Sequence, residues 1–230
     1  MAVTQATLTS GSSNSDATSY ATASITPSAD RLILAAVINS KTTSPDTPTC
    51  SGNGLTWVQV ATRDYQLIAS PARRITVFRA LDSAPSAGAI TFDFGGATQT
   101  SAAWSVMEFN GVAQGGTSGS EAVVQSAVNR ADTGTSLTVT LAAFGNALNA
   151  TYGAFGNASG ADACTPGTGF TEIHDFDAGE VGRMCSEWRN DNDTTVDASK
   201  GGLSTQWGGI AVEIKARIGL PGRRQLLGVG

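Results

Sequence analysis

The sequence is poor in charge and in side chains that carry chemistry. Charged residues make up 14% of the 230 residues, against about 25% in an ordinary soluble domain. One histidine and an odd number of cysteines, three, are too few for a histidine-rich metal site or a disulfide scaffold. The longest apolar run covers residues 32–38, far short of the roughly 20 residues of a membrane-spanning helix. These shortages exclude a disulfide-stapled miniprotein and a helical membrane protein.

Charge and cysteine usage narrow the expected partners. A net charge of −5 and a pI near 4.8 leave no basic stripe for a phosphate backbone, so nucleic acid is not an expected partner. Residues 1–7 have neither the basic segment nor the apolar run of a secretory signal. We therefore expect no membrane partner and assembly in a reducing cytoplasm, where Cys50, Cys164 and Cys185 are expected to be free thiols. The alternative is one intramolecular disulfide, Cys164–Cys185, which leaves one thiol free.

The pattern along the chain has a period of two residues. Residues 137–141 and 210–215 alternate apolar and polar side chains, which is typical of strands with one face on a core. Residues 31–38 are apolar on both faces, which predicts a central strand covered on both sides. With no helical spacing over ten or more residues, the sequence predicts an all-β protein. Further strands are predicted at residues 20–25, 55–61, 74–81, 89–94, 102–112, 122–125, 147–155, 170–176, 183–189 and 194–197.

The chain contains an internal near-repeat whose order and spacing are preserved. It divides the sequence into two halves, about 1–114 and 120–217, joined by the glycine-rich connection 115–120. The two halves predict one body over residues 1–217. The matching segments are residues 50–56 and 164–171, 78–79 and 188–189, 90–93 and 194–197, 106–109 and 211–214, and 22–25 and 138–141.

Two architectures fit such a repeat. The first is a jelly-roll-like antiparallel β-sandwich in which the two halves supply interleaved strands, and the second is a pair of tandem Ig-like sandwiches. The connection 115–120 is short and has no proline, which favours the first. Glycine and proline at positions 219–222 stop the last strand, so residues 218–230 are predicted to form an extended C-terminal arm.

Several segments carry a resemblance to a known group of proteins. The chain resembles β-sandwich domains of tailed bacteriophage virions and of some bacterial surface proteins, over roughly residues 1–216. These motifs are fold signatures and bring no catalytic residue with them, so the resemblance implies a non-enzymatic role in capsid decoration, or in a fibre or appendage. The segments that carry it are residues 30–37, 54–58, 74–81, 88–94, 104–112 and 207–214.

Candidate catalytic residues are few and scattered. His174 is the single histidine, and without a serine in a nucleophile-elbow context it is interpreted as a strand-end surface residue. The cysteines have no paired spacing suited to zinc. Glu108 and Glu213 match in the repeat but are expected on an exposed face rather than across a groove. The sequence therefore predicts no enzyme, with no catalytic, cofactor or metal residues.

Two binding alternatives remain. Asp175 with Asp177, and the run 191–193, offer oxygen ligands for calcium, although tight turns require the same residue types and are favoured here. Aromatic side chains are able to stack on sugars, but most of the tryptophans fall inside predicted strands, which favours core packing. The aromatic residues concerned are Trp57, Trp104, Trp188, Trp207, Tyr20, Tyr65 and Tyr152.

The end of the sequence differs from the body, because residues 215–230 hold four of the fourteen basic residues. We expect this arm to bind a neighbouring subunit. The predicted function is a structural virion protein, a capsid decoration or cement protein or a fibre component, which forms a homo-oligomer and contacts other virion proteins. The alternative is a carbohydrate-binding or adhesion module that recognises a cell-surface glycan. The expected partner-binding residues are Arg217, Leu220, Arg223, Arg224, Leu226 and Leu227.

Overall fold

Antiparallel strands form almost the whole fold. The structure is a computed structural model, and it describes residues 2–66 and 71–218. In these residues no helix is long and apolar enough to cross a membrane. The first half contains β1 (Thr4–Ser13), β2 (Ser19–Ala21), β3 (Leu32–Lys41), β4 (Thr49–Gly52), β5 (Val58–Tyr65), β6 (Ala72–Ala80), β7 (Ile90–Asp93) and β8 (Ser101–Asn110). The second contains β9 (Val123–Ala131), β10 (Ser136–Thr140), β11 (Ala150–Asn157), β12 (Cys164–Pro166), β13 (Thr171–Asp177), β14 (Arg183–Arg189), β15 (Thr195–Lys200) and β16 (Trp207–Ile214). Short 3-10 turns lie at Thr117–Gly119 and Gly179–Val181.

Each half forms one five-stranded and one three-stranded sheet. The first half has the orders β1-β8-β3-β6-β5 and β2-β7-β4, and adding eight to every strand number gives the sheets of the second half. The all-β antiparallel class and the internal repeat are thus confirmed. Interleaving of the halves is wrong, because each named sheet of the described residues takes its strands from one half. Each half has eight strands in two sheets, which is the strand count of a jelly roll, but one sheet has five strands and the other has three.

The sheets stack in four layers with three apolar cores between them. The two five-stranded sheets pack face to face over a central core that includes Leu34, Phe109 and Tyr152. Each three-stranded sheet covers the outer face of its own five-stranded sheet, over cores that include Phe92 in the first half and Phe155 in the second. The inner sheets are therefore buried on both faces, and this is what joins the halves into one body.

Strand β3 shows why the sequence is apolar at consecutive positions there. Leu32, Leu34 and Ile38 point into the central core, while Ile33 and Val37 point into the outer core of the first half. Because side chains alternate between the faces of a strand, a strand between two cores needs apolar residues at both sets of positions. The predicted central strand is confirmed.

Tyr65 locks the first half against two glycines of the second. A Cβ atom at Gly156 would lie 2.3 Å from the Tyr65 hydroxyl oxygen, and one at Gly208 would lie 2.4 Å from its Cδ1. The ring is fully buried, so these two glycines form the recess that it fills. Beside it the buried Arg73 of β6 donates from Nε to the carbonyl oxygen of Val181, at 2.7 Å. Shape and hydrogen bonding therefore both fix the halves relative to each other.

The strand pairing corrects one detail of the repeat. Ile33 lies opposite Glu108 in the first half, and Thr151 lies opposite Glu213 in the second, so the two glutamates do match. Carrying this register one strand further places Glu187, rather than a tryptophan, at the position of Phe78. The sequence match of 78–79 with 188–189 was therefore wrong by one residue. A shift of one residue moves a side chain to the other face of a sheet.

The sequence pattern did not predict three of the strands. β1, β4 and β12 were not predicted, because β1 is rich in serine and threonine and the other two are short. All three lie next to strands that were predicted and pair with them through backbone hydrogen bonds. Pairing of this kind does not require an apolar pattern in the added strand.

Candidate functional site

The predicted arm falls mostly outside the described residues. Of its expected partner-binding residues, Arg217 is described, and its N–H donates to the carbonyl oxygen of Gly111 at 2.7 Å. This bond ties the end of the second half to the end of β8. The other expected residues, Leu220, Arg223, Arg224, Leu226 and Leu227, lie outside the described residues.

His174 is in the middle of β13 and not at a strand end, so the surface interpretation is corrected. Its Nδ1 lies 2.7 Å from Ser105 Oγ, which in turn lies 2.8 Å from Ser186 Oγ. Burial lowers the pKa of His174. Ser105 is fully buried on β8, where a substrate has no access to its hydroxyl. The three side chains join the two halves and do not present a nucleophile.

The acidic clusters are already paired. Asp175 accepts from Arg183 Nη2 at 2.7 Å, and Asp193 accepts from Arg189 Nη1 at 2.7 Å. Asp177 accepts from the backbone N–H of Gly179 at 2.9 Å, which is a turn contact. The arginines and turn amides thus use the oxygens that calcium would need.

The tryptophans belong to the cores. Trp207 is fully buried, and its indole N–H donates to the carbonyl oxygen of Gly134 at 3.1 Å. Trp104 is buried in the outer core of the first half, and Trp57 and Trp188 are half-buried against apolar cores. Among the described residues no row of exposed tryptophans is available for stacking on sugars, so glycan binding stays a prediction without a site.

A disulfide joins Cys164 of β12 to Cys185 of β14, with the two Cα atoms 6.4 Å apart. The expectation of three free thiols is wrong for this pair and holds for the half-buried Cys50 alone. The sequence repeat matches Cys50 with Cys164, and the strand register puts Thr76 at the position of Cys185. Strand pairing separates the two cysteines that the repeat matches, because Cys50 lies opposite Phe92 whereas Cys164 lies opposite Lys200.

Two carboxyl groups lie beside this disulfide. The backbone N–H of Cys164 donates to Asp175 Oδ2 at 3.0 Å, and the sulfur of Cys185 lies 3.7 Å from Asp175 Oδ1. Glu187 is buried and accepts from the backbone N–H of Gly167 at 3.0 Å, while its other oxygen has no hydrogen-bond partner within residues 2–66 and 71–218. Burial raises the pKa of Glu187 to about 8. Cys164, Asp175 and Cys185 form the cluster of metal-ligand residue types in the described chain, but the disulfide occupies both sulfurs and Arg183 pairs with the carboxylate.

The matching glutamates Glu108 and Glu213 are both buried, which corrects the expected exposed face. Glu108 accepts from the backbone N–H of Ser28 at 2.8 Å, from its hydroxyl at 2.9 Å, and from Arg31 Nη1 at 2.9 Å. The guanidinium of Arg31 thus supplies a positive charge directly to the buried carboxylate. In the first half this acid is therefore a closed structural contact.

Glu213 has a different environment. Its oxygens accept from Gln125 Nε2 at 2.6 Å and from Asn149 Nδ2 at 2.5 Å, and both donors are neutral amides. In the described part of the chain it forms no salt bridge. The register places Asn149 at the position of Arg31, because each immediately precedes the matching strand. The second half therefore keeps the acid and replaces its cation by a shorter, neutral side chain.

A pocket of about 420 Å³ opens above Glu213. Val124 and Ile218 contribute apolar walls, and both are largely exposed, at 51% and 71%. Leu148, which is 54% exposed, lies in the loop that forms another side. The full lining is Glu121, Val124, Gly145, Asn146, Asn149, Glu213, Lys215 and Ile218. The sequence contained a signal for this site, since Glu108 and Glu213 match in the repeat, but their burial depends on loops that the pattern does not locate.

No family model, curated protein or solved structure matches the chain.

Proposed function

We propose that the protein is a non-enzymatic assembly protein that binds other protein subunits through the end of its second half. The observation that carries the proposal is the pair of exposed apolar side chains Val124 and Ile218 that line one pocket, with the exposed Leu148 in the loop that lines another side of it. Exposed apolar side chains that cluster around a concavity are typical of an interaction surface. We name this surface the Ile218 face.

The sheet edge adds to this surface. β9 is an edge strand of its five-stranded sheet and carries Val124, together with Val128, which is 40% exposed. An edge strand offers unpaired backbone groups to a neighbouring chain. Within the chain, the side chains of Gln125 and Asn129 on β9 bond to the backbone of Ala142 and Thr138. The Ile218 face thus combines apolar contact area with an edge strand that its own half covers in part.

The particular setting that we propose is a phage virion, as a capsid decoration or fibre component in a homo-oligomer. The sequence resemblance supports it, and so does the absence, among the described residues, of an accessible nucleophile beside His174. The disulfide suits a protein that meets oxidising surroundings after release from the host cytoplasm. Low charge suits a surface that packs against protein rather than nucleic acid.

The proposal is tested by light scattering of the purified full chain. We expect a trimer or larger species, which falls to monomer in Val124→Lys and Ile218→Lys because a lysine in an apolar contact must be desolvated. Leu203→Lys is the matched control, because Leu203 is 87% exposed but lies at the opposite end of β16. A chain that ends at Ile218 keeps the Ile218 face and tests the remaining residues 219–230 of the predicted arm in the same way.

A stable monomer for the full chain and all variants would remove self-assembly from the proposal. Loss of the oligomer in Leu203→Lys as well would show that any added charge disrupts it, and the Ile218 face would then have no special role.

A further inference from the structure

The pocket above Glu213 lies where the first half holds its own guanidinium group. Arg31 Nη1 donates to Glu108 Oε1 at 2.9 Å, and at the matching position Asn149 Nδ2 donates to Glu213 Oε1 at 2.5 Å. Asparagine reaches the same carboxylate oxygen with a shorter side chain and without charge. The space that a longer, cationic side chain would take in the second half is open to solvent as the pocket.

Among the residues that the structure describes, the charges around the pocket leave Glu213 without a cation of its own. Lys215 Nζ donates to Glu121 Oε1 at 2.7 Å, so the other two charged residues of the lining neutralise each other. The neutral amides of Gln125 and Asn149 satisfy one lone pair on each oxygen of Glu213, and a carboxylate oxygen accepts more than one hydrogen bond. A buried carboxylate that lacks a cation leaves the cost of its desolvation uncompensated by an opposite charge.

The walls suit an apolar stem that carries such a cation. Val124 and Ile218 flank the opening, and Glu213 lies beneath them. Resting on the Ile218 face of the proposed function, we propose that the pocket binds a guanidinium group on a short alkyl chain, as in an arginine side chain. The guanidinium N–H groups donate to Glu213, and the alkyl stem packs between Val124 and Ile218. A guanidinium is favoured over an ammonium because it forms a planar fork of donors that matches a carboxylate.

Two sources have this chemistry. One is an arginine of a partner subunit, and the other is the chain's own Arg223 or Arg224, which follow Ile218 by five and six positions in the sequence and lie outside the described residues. The recognised group is the same in both cases, so the double variant Arg223→Gln/Arg224→Gln separates them.

The test is isothermal titration calorimetry of the full chain with n-butylguanidinium, and with n-butylurea as its neutral isostere. We expect butylguanidinium to bind at least about tenfold more tightly than butylurea, as for a hydrogen bond to a charged group. If the chain's own arginines occupy the pocket, the double glutamine variant binds butylguanidinium more tightly than the natural sequence. If these arginines do not occupy the pocket, the double glutamine variant and the natural sequence bind butylguanidinium with equal affinity.

Variants locate the site. Glu213→Gln is expected to lose about tenfold or more in affinity, whereas Glu108→Gln, the same change at the matching position, leaves affinity unchanged. Asn149→Arg places an arginine at the position that Arg31 has in the first half, and it is expected to abolish butylguanidinium binding. It is also the variant that tests the site if Glu213→Gln fails to fold. Equal affinity for butylurea and butylguanidinium would overturn the proposal. Equal losses of affinity in Glu213→Gln and Glu108→Gln would also overturn it, as would a lack of butylguanidinium binding even in Arg223→Gln/Arg224→Gln.

The calorimetry is independent of assembly. A monomer that binds butylguanidinium through Glu213 would remove the assembly proposal and keep the pocket. An oligomer that does not bind butylguanidinium, either as the natural sequence or as Arg223→Gln/Arg224→Gln, would remove the pocket proposal and keep the assembly proposal.

Discussion

The two halves have the same strand order but place different chemistry at matching positions. In the first half Cys50 is free and Thr76 stands at the position of Cys185, whereas in the second half Cys164 and Cys185 are bonded. The outer core of the first half is apolar at Phe78, where the second half has a buried glutamate. The topology therefore tolerates a disulfide and the buried acid Glu187 in one half without them in the other.

The buried glutamates show the same asymmetry. Glu108 is neutralised by Arg31, and Glu213 is held by neutral amides beneath an open pocket. A matching acid that has lost its internal cation is free to meet an external one. Comparison of the halves thus separates side chains that the fold requires from side chains that a binding site requires.

The contact between the halves gives the largest expected effect. Tyr65→Ala is expected to destabilise the protein by about 4 kcal/mol, as for other truncations of buried aromatic side chains. Tyr65→Phe is the control and should change stability little, because the Tyr65 hydroxyl has no hydrogen-bond partner among the described residues. Urea unfolding measures both.

The glycine recess sharpens this test. Gly208→Ala gives the second half the residue that the first has at the matching Ala103, and its new Cβ would collide with the Tyr65 ring. We expect a loss of about 2 kcal/mol from overpacking, and almost none in the Tyr65→Ala background. Additive losses in the double variant would show that Tyr65 does not fill the recess.

The disulfide gives the next effect. Replacing Cys164 and Cys185 together by serine should cost about 3 kcal/mol, since the bond closes a loop between residues 21 positions apart. Cys50→Ser, which replaces the cysteine that the sequence repeat matches with Cys164, should cost about 1 kcal/mol or less, because Cys50 is a free thiol. Urea unfolding with and without a thiol reductant measures the difference, which must vanish when the disulfide is reduced. Equal effects of the two replacements would remove the asymmetry.

Strand pattern and repeat could be predicted from the sequence because both are local. Period-two alternation marks a strand wherever one face meets a core, and the doubly apolar segment 31–38 marked the strand between two cores. The repeat predicted the match of Glu108 with Glu213. None of these needs knowledge of which strands are neighbours.

The contacts that the sequence analysis did not predict join residues that are separated along the chain. Cys164 meets Cys185 because β12 covers the sheet that contains β14, and cysteine spacing does not encode that contact. His174 meets Ser105 across the interface of the halves. The burial of Glu213 depends on Asn149, in the loop before β11, and on Gln125, in the edge strand β9. Each is a contact between residues far apart in the chain.

Glu187 makes the second half sensitive to pH. Its folded pKa of about 8 lies above the ordinary value of 4.5, so the folded state holds a proton that the unfolded chain releases between these values. Its contribution to stability is fully present below about pH 4.5 and is lost as pH rises towards 8. We expect Glu187→Gln to remove a loss of roughly 2 kcal/mol between pH 5 and pH 7, from about 1.4 kcal/mol per pH unit. Urea midpoints across this range measure it, and parallel curves for the two proteins would contradict the raised pKa.

The smallest effect comes from the acid that both halves share. Arg31→Asn gives the first half the residue of the second, and it should cost about 1 kcal/mol, because Glu108 loses its charged donor but keeps both hydrogen bonds from Ser28. Arg130→Asn is the control, since Arg130 lies 3.9 Å from Asp132 in an exposed pair and should contribute little. Thermal unfolding of both variants measures the difference. If calorimetry shows that Arg31→Asn also creates a second binding site for butylguanidinium, loss of the internal cation is by itself sufficient to open such a site. If stability falls and no second site forms, the loops around Glu213 must contribute as much to guanidinium binding as the charge does.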